Sequence, residues 1–105
     1  MSHATNRQNI TAIVYDRKGR VLAVGKNSYT KTHPVQAKFA QKSGNPHKIY
    51  LHAEIDALVK LKYNDKPHSI HVIRLSSNGQ PMNAKPCKCC SLAVQSFGIK
   101  KITHT

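Results

Sequence analysis

His52, Glu54, Cys87 and Cys90 are residues whose types and spacing carry chemistry. They fall in two short runs, His52-Ala53-Glu54 and Pro86-Cys87-Lys88-Cys89-Cys90. An imidazole and two thiolates are good zinc ligands, and a site with three protein ligands keeps a fourth position for water. A carboxylate beside them suits the base that moves the proton of that water better than it suits a fourth ligand. Together these groups are the equipment for hydrolysis at a metal.

The spacing supports that reading. Cys87 and Cys90 lie three apart, so on a helix both sulfurs share one face, whereas Cys89 points elsewhere and is the odd thiol. Pro86 fits a helix start, where its fixed φ helps and its missing N–H costs little. Thiols in a first helical turn feel the positive end of the helix dipole, which favours the thiolate. His52 opens the run Leu51, Ile55, Leu58 and Val59, whose spacing is that of an amphipathic helix. Two helix starts should therefore converge on one metal.

Each run alone has a blander reading. A Cys-x-x-Cys pair is also a redox pair or half of a structural zinc site, whose fourth ligand would come from Cys89 or another histidine. A histidine at a helix start is often just polar surface. In this order, and with Glu54 and Pro86 in place, the two runs fill the zinc deaminase pattern His-x-Glu followed by Pro-Cys-x-x-Cys. The chain thus resembles the cytidine and deoxycytidylate deaminase superfamily, from about Ile10 to Ile102.

The resemblance implies a cytidine deaminase-like fold, Zn2+ held by His52, Cys87 and Cys90, and Glu54 as the general acid–base group. The implied reaction is hydrolytic deamination of a cytosine-type base. It further implies that the backbone N–H groups of Ala53 and of the Cys87 turn orient the water or the tetrahedral intermediate. Asn27 matches by position the asparagine that hydrogen-bonds substrate, and His33 is a further substrate-side candidate. An asparagine there is also an ordinary turn residue, and His33 an ordinary surface histidine. The pattern serves cytosine and adenine, in a free nucleoside or nucleotide or in a strand, so the substrate stays open. The competing class is a non-catalytic, zinc-bearing nucleic-acid-binding protein, against which Glu54 argues because a structural site has no use for it.

The elements that must position these residues follow from periodicity and turn signals. Ile10–Tyr15 and Val21–Val24 read as strands joined by the turn Asp16-Arg17-Lys18-Gly19. Residues 25–49, interrupted by Pro34, Gly44 and Pro46, read mostly as loop with one helical turn near Val35–Gln41. A helix over His52–Lys62, a turn at Asn64-Asp65-Lys66-Pro67 and a strand over Ile70–Leu75 come next. After a loop over Ser76–Lys85, a helix over Cys87–Phe97 buries Cys90, Ala93, Val94 and Phe97 and stops at Gly98. Ile99–Thr103 is the last strand. The order ββαβαβ predicts an α/β fold with a mixed sheet, its last strands parallel and its helices packed on it. Relatives usually carry a helix before the first strand and a fifth strand, neither of which this reading finds. A sheet edge would then be left for pairing in a homo-oligomer.

Composition adds a second signal. The 105 residues suit one domain, and three cysteines of which two bind metal leave no disulfide framework, as in a reducing cytoplasm. No apolar run approaches a membrane span, and the polar N-terminus lacks the apolar stretch of a signal peptide. Seventeen basic residues against four acidic give a net charge of +13. Arg17, Lys18, Arg20, Lys26, Lys31, Lys38, Lys42 and Lys48 follow one another without an acid between them, interleaved with Tyr29 and Phe39. Lys26, Lys31 and Lys38 in particular are candidates for following a phosphate backbone, with bases stacking on aromatic rings. A solvated face, or steering of a cytosine-containing nucleotide to the cleft, explains the same charge.

Overall fold

The computed structural model describes residues 9–28, 30–44, 50–76 and 78–105. Its order is β1 (Asn9–Tyr15), β2 (Val21–Lys26), α1 (Pro34–Lys42), α2 (Ala53–Val59), β3 (Ser69–Leu75), β4 (Pro81–Met82), α3 (Lys88–Ser96) and β5 (Lys101–His104). The turn between β1 and β2 is built by Asp16, whose Oδ1 accepts the backbone N–H groups of Lys18 and Arg20, both at 2.9 Å. Gly19 supplies the positive φ of 83° that closes it.

β1 is an interior strand, antiparallel to β2 on one side and to β3 on the other. The far edge of β3 is shared. β5 runs parallel to its first half, Ser69–Val72, and β4 pairs antiparallel with Arg74 and Leu75 at its end. The sheet is mixed and its last long strands are parallel, as the element order predicts. It has five strands rather than four because the stretch read as a loop carries β4. Two residues are too few to show a period, so only pairing with β3 makes them a strand.

One core cluster joins the sheet to the helices: Ala12, Val14, Ile70 and Val72 from the strands, Ile55 and Leu58 from α2, Ala93 and Val94 from α3, and Phe39 and Ala40 from α1. α2 lies over β1 and β2, while α3 packs against α1 and α2. α1 is a full nine-residue helix where the sequence predicts mostly loop. Pro34 is the reason: it stands at the start of the helix, where proline is favoured, and does not break one. α3 stops at Gly98, with φ of 78°, as expected. Phe97, expected in the core, is instead the exposed C-cap. No helix among the described residues is long and apolar enough to cross a membrane.

Candidate metal centre and active site

His52 and Cys87 are the N-caps of α2 and α3, both with extended backbone, and neither side chain caps its own helix. Both are therefore left to point at each other across the helix starts. Nδ1 of His52 lies 3.2 Å from Sγ of Cys90 and 3.7 Å from Sγ of Cys87. All three ligand atoms fall within 4.8 Å of one another. With Zn–S of about 2.3 Å and Zn–N of about 2.05 Å, a tetrahedral ion requires N···S separations of about 3.6 Å. The two observed values bracket that figure, so the trio fits Zn2+. Cys87 precedes the helix, so the two sulfurs meet across its first turn and not along a helical face.

Cys89 is buried but turned toward α1, where Nε2 of Gln36 donates to its sulfur at 3.5 Å. It stands outside the ligand group, as expected of the odd thiol. Among the described residues no fourth His, Cys, Asp or Glu joins the three, which disfavours a structural four-ligand site.

The start of α2 is fixed from several directions. Oε1 of the buried Gln36 accepts the backbone N–H of His52 at 3.1 Å. Leu51 bonds through its backbone to Lys31 and Ser28, both at 2.9 Å. Gly25 of β2 lets α2 approach so closely that a Cβ there would stand 2.2 Å from the Ala53 carbonyl oxygen and 2.3 Å from the Ala57 nitrogen. Oδ2 of Asp56 accepts the backbone N–H of Lys26 and the Lys60 ammonium, each at 2.9 Å, tying the next turn to β2. Sequence reasoning missed Gln36, which shows no pattern. Gly25 was read as the start of a loop, but β2 runs on to Lys26 and takes it inside the strand, where a glycine often marks a close backbone approach.

A cavity of about 610 Å³ opens above the ligands. His52, Ala53, Glu54 and Cys87 border it together with Asn27 and Tyr50, while Cys90 lies buried beneath. Oδ1 of Asn27 accepts the Ile10 backbone N–H at 3.1 Å, which fixes the residue at the end of β2. His33 is not among the lining residues. Its Nδ1 accepts the Val35 N–H at 3.1 Å and caps α1. Lys26 and Lys31 border a neighbouring depression that shares Asn27, Ser28 and Leu51 with the cavity. Lys38 stands over the Phe39 ring, 5.6 Å from its centroid, and borders neither. Tyr29 and Lys48 lie outside the described residues.

Electrostatics prepare the metal-free site for a cation. The Cys87 thiol is pushed down to about 3, chiefly by a hydrogen bond from Cys90, with His52 adding to it. Cys90, as the donor in that bond, is held above its ordinary value. His52 is raised, first through its hydrogen bond with Cys87. Glu54, only 6% exposed, is raised by burial, so a proton is easier to hold there than in water.

The whole chain, residues 1–105, matches the family model described as the cytidine and deoxycytidylate deaminase zinc-binding region. The chain belongs to this family. Among curated proteins none matches it. Family and geometry agree on a zinc-dependent deaminase, with His52, Cys87 and Cys90 positioned to hold Zn2+.

Proposed function

We propose that this deaminase removes the exocyclic amine of a cytosine-type base presented in single-stranded nucleic acid. The observation that carries the chemistry is the position of Glu54, a buried carboxylate bordering the same cavity as His52 and Cys87. Bound Zn2+ supplies a water activated as a nucleophile near neutral pH. Glu54 takes a proton from the attacking water, passes it to the ring nitrogen and then assists the departing ammonia, so water and cytosine become uracil and ammonia. Burial raises its proton affinity, which suits a group that must both accept and return a proton. Asn27 borders the site at the end of β2 and would orient the sugar or base, and Ala53 lines the floor.

The strand is supported by charge. The net charge is +13, and Lys26 and Lys31 border a depression continuous with the cavity through Asn27 and Ser28. Phosphates flanking the reacting nucleotide would find cations there. A deamination screen decides: cytidine, deoxycytidine, their nucleotides, DNA and RNA oligomers, and the adenine counterparts. Turnover of cytosine in an oligomer well above that in the free nucleotide is the expected outcome. Preference for adenine, or for the free nucleotide, would replace this reading.

A further inference from the structure

Arg74 occupies a core-facing position of β3 without an acidic partner. Residues two apart on a strand share a face, and Ile70 and Val72, the preceding members of this column, are 0% and 1% exposed. The third member is a guanidinium. Its cross-strand neighbour is Ile10, and both border the cavity that contains His52 and Glu54. The column therefore leaves the apolar core and enters the cavity at Arg74.

A charge in this place needs compensation. Nη1 donates to the Asn83 carbonyl at 3.1 Å, while Nε is shut off from solvent with no hydrogen-bond partner. The ion pairs among the described residues are Arg20–Asp16 and Lys60–Asp56, so no carboxylate neutralises Arg74. An aliphatic residue here would extend the core without that desolvation cost. A ligand anion is what would complete the group, and the planar guanidinium fork matches two oxygens of a phosphate. Lys85, exposed on the approach to Cys87, borders the same cavity.

We propose that Arg74 and Lys85 form a phosphate subsite of the deaminase cavity, on the side opposite Lys26 and Lys31. This rests on reading the cavity as a nucleotide site. Ile10 is hydrogen-bonded to Asn27 on one side and paired with Arg74 on the other. Asn27 and Arg74 therefore stand two strand spacings, about 10 Å, apart across the sheet. Cations thus flank both sides of the site. An internal nucleotide of a strand brings a phosphate to each side, whereas a free 5′-monophosphate brings one.

Binding without turnover tests this. Zinc-loaded Glu54→Gln protein is titrated with deoxycytidine, deoxycytidine 5′-monophosphate and a short oligodeoxycytidylate, alone and with Arg74→Gln or Lys85→Gln added. Each added change should weaken a phosphate-bearing ligand about tenfold, the scale of a charge-assisted hydrogen bond, and deoxycytidine far less. Loss confined to the monophosphate assigns the subsite to a free nucleotide, and loss confined to the oligomer assigns it to a strand. Loss from both means that it grips either. Equal loss for all three ligands, no loss, or no binding of either phosphate-bearing ligand overturns the proposal. Should Arg74→Gln fail to fold, Arg74→Lys, which keeps the charge but not the fork, and Lys85→Gln make the same comparison. Wild-type turnover on the same three ligands is scored separately, so a failure of the cytosine reading is not mistaken for a failure of the subsite.

Discussion

The side-chain oxygen of Gln36 accepts the backbone N–H of His52 at 3.1 Å, so a fully buried amide on α1 sets where the candidate ligand histidine begins its helix. The same amide donates to Cys89, which joins the three helices around one polar group. Gln36→Leu keeps the bulk but leaves the His52 N–H unpaired in the interior. Such a loss costs about 1–3 kcal/mol, and the histidine loses its anchor. Thermal unfolding should shift down and zinc should pass faster to a competing chelator. Unchanged melting and unchanged zinc release would show that Gln36 does not position the site.

Gly25 makes a similar demand on the backbone. A methyl at 2.2 Å from the Ala53 carbonyl cannot be accommodated unless α2 moves off β2, and His52 and Glu54 move with it. Gly25→Ala should lower stability by about 1–3 kcal/mol, the usual range for overpacking, and reduce zinc occupancy. Gly79→Ala meets no atom within 4 Å, although its φ of 85° adds backbone strain, and should leave zinc occupancy unchanged. Metal content of the two purified variants compares them directly.

The cysteines separate a catalytic from a structural centre. Cys89→Ser should retain zinc, whereas Cys87→Ser and Cys90→Ser should each lose it, because only the latter two sulfurs approach Nδ1 of His52. Zinc loss in the Cys89 variant would point to a four-ligand structural site instead.

Glu54→Gln keeps volume and hydrogen bonding but cannot carry a proton, so turnover should vanish while zinc content holds. The metal-free protein gives a second readout. Burial raises the folded-state proton affinity of Glu54, so its contribution to stability is full below the ordinary carboxylate value of 4.5 and is lost as pH rises through the raised value. Metal-free Glu54→Gln should therefore gain on wild type in denaturant titrations as pH rises above 4.5. A difference independent of pH would contradict the burial argument.

The ligands were legible because metal chemistry is written in residue types, and two short runs supplied every donor. Strands β1 and β3 were legible from alternation and β-branching. α1 was hidden because Pro34 reads as a breaker unless His33 is seen to cap the helix that Pro34 opens. Gln36 gave no signal, since a buried polar residue is recognised only by its partners. Arg74 did give one: Ile70-x-Val72-x-Arg74 puts a guanidinium at the end of a core column. Which cations gather near the cavity depends on how β2 and α1 are joined, and charge counting along the chain cannot supply that.

That last point yields a test of the strand. Lys26 and Lys31 border the depression next to the cavity, whereas Lys38 sits on α1 over Phe39 and borders neither space. If a single strand leaves the cavity across Asn27 and Ser28, Lys26 and Lys31 each neutralise a phosphate and release its counterion. The double change Lys26→Gln and Lys31→Gln should then flatten the dependence of log affinity on log salt by about one to two units. Lys38→Gln should change it less, and neither change should alter zinc content. The measurement is binding of a short oligodeoxycytidylate across a salt titration, next to the mononucleotide. A shallow wild-type slope with good mononucleotide turnover would assign the basic surface to steering a free nucleotide. A steep slope flattened equally by Lys38→Gln would carry the strand along α1, away from Asn27.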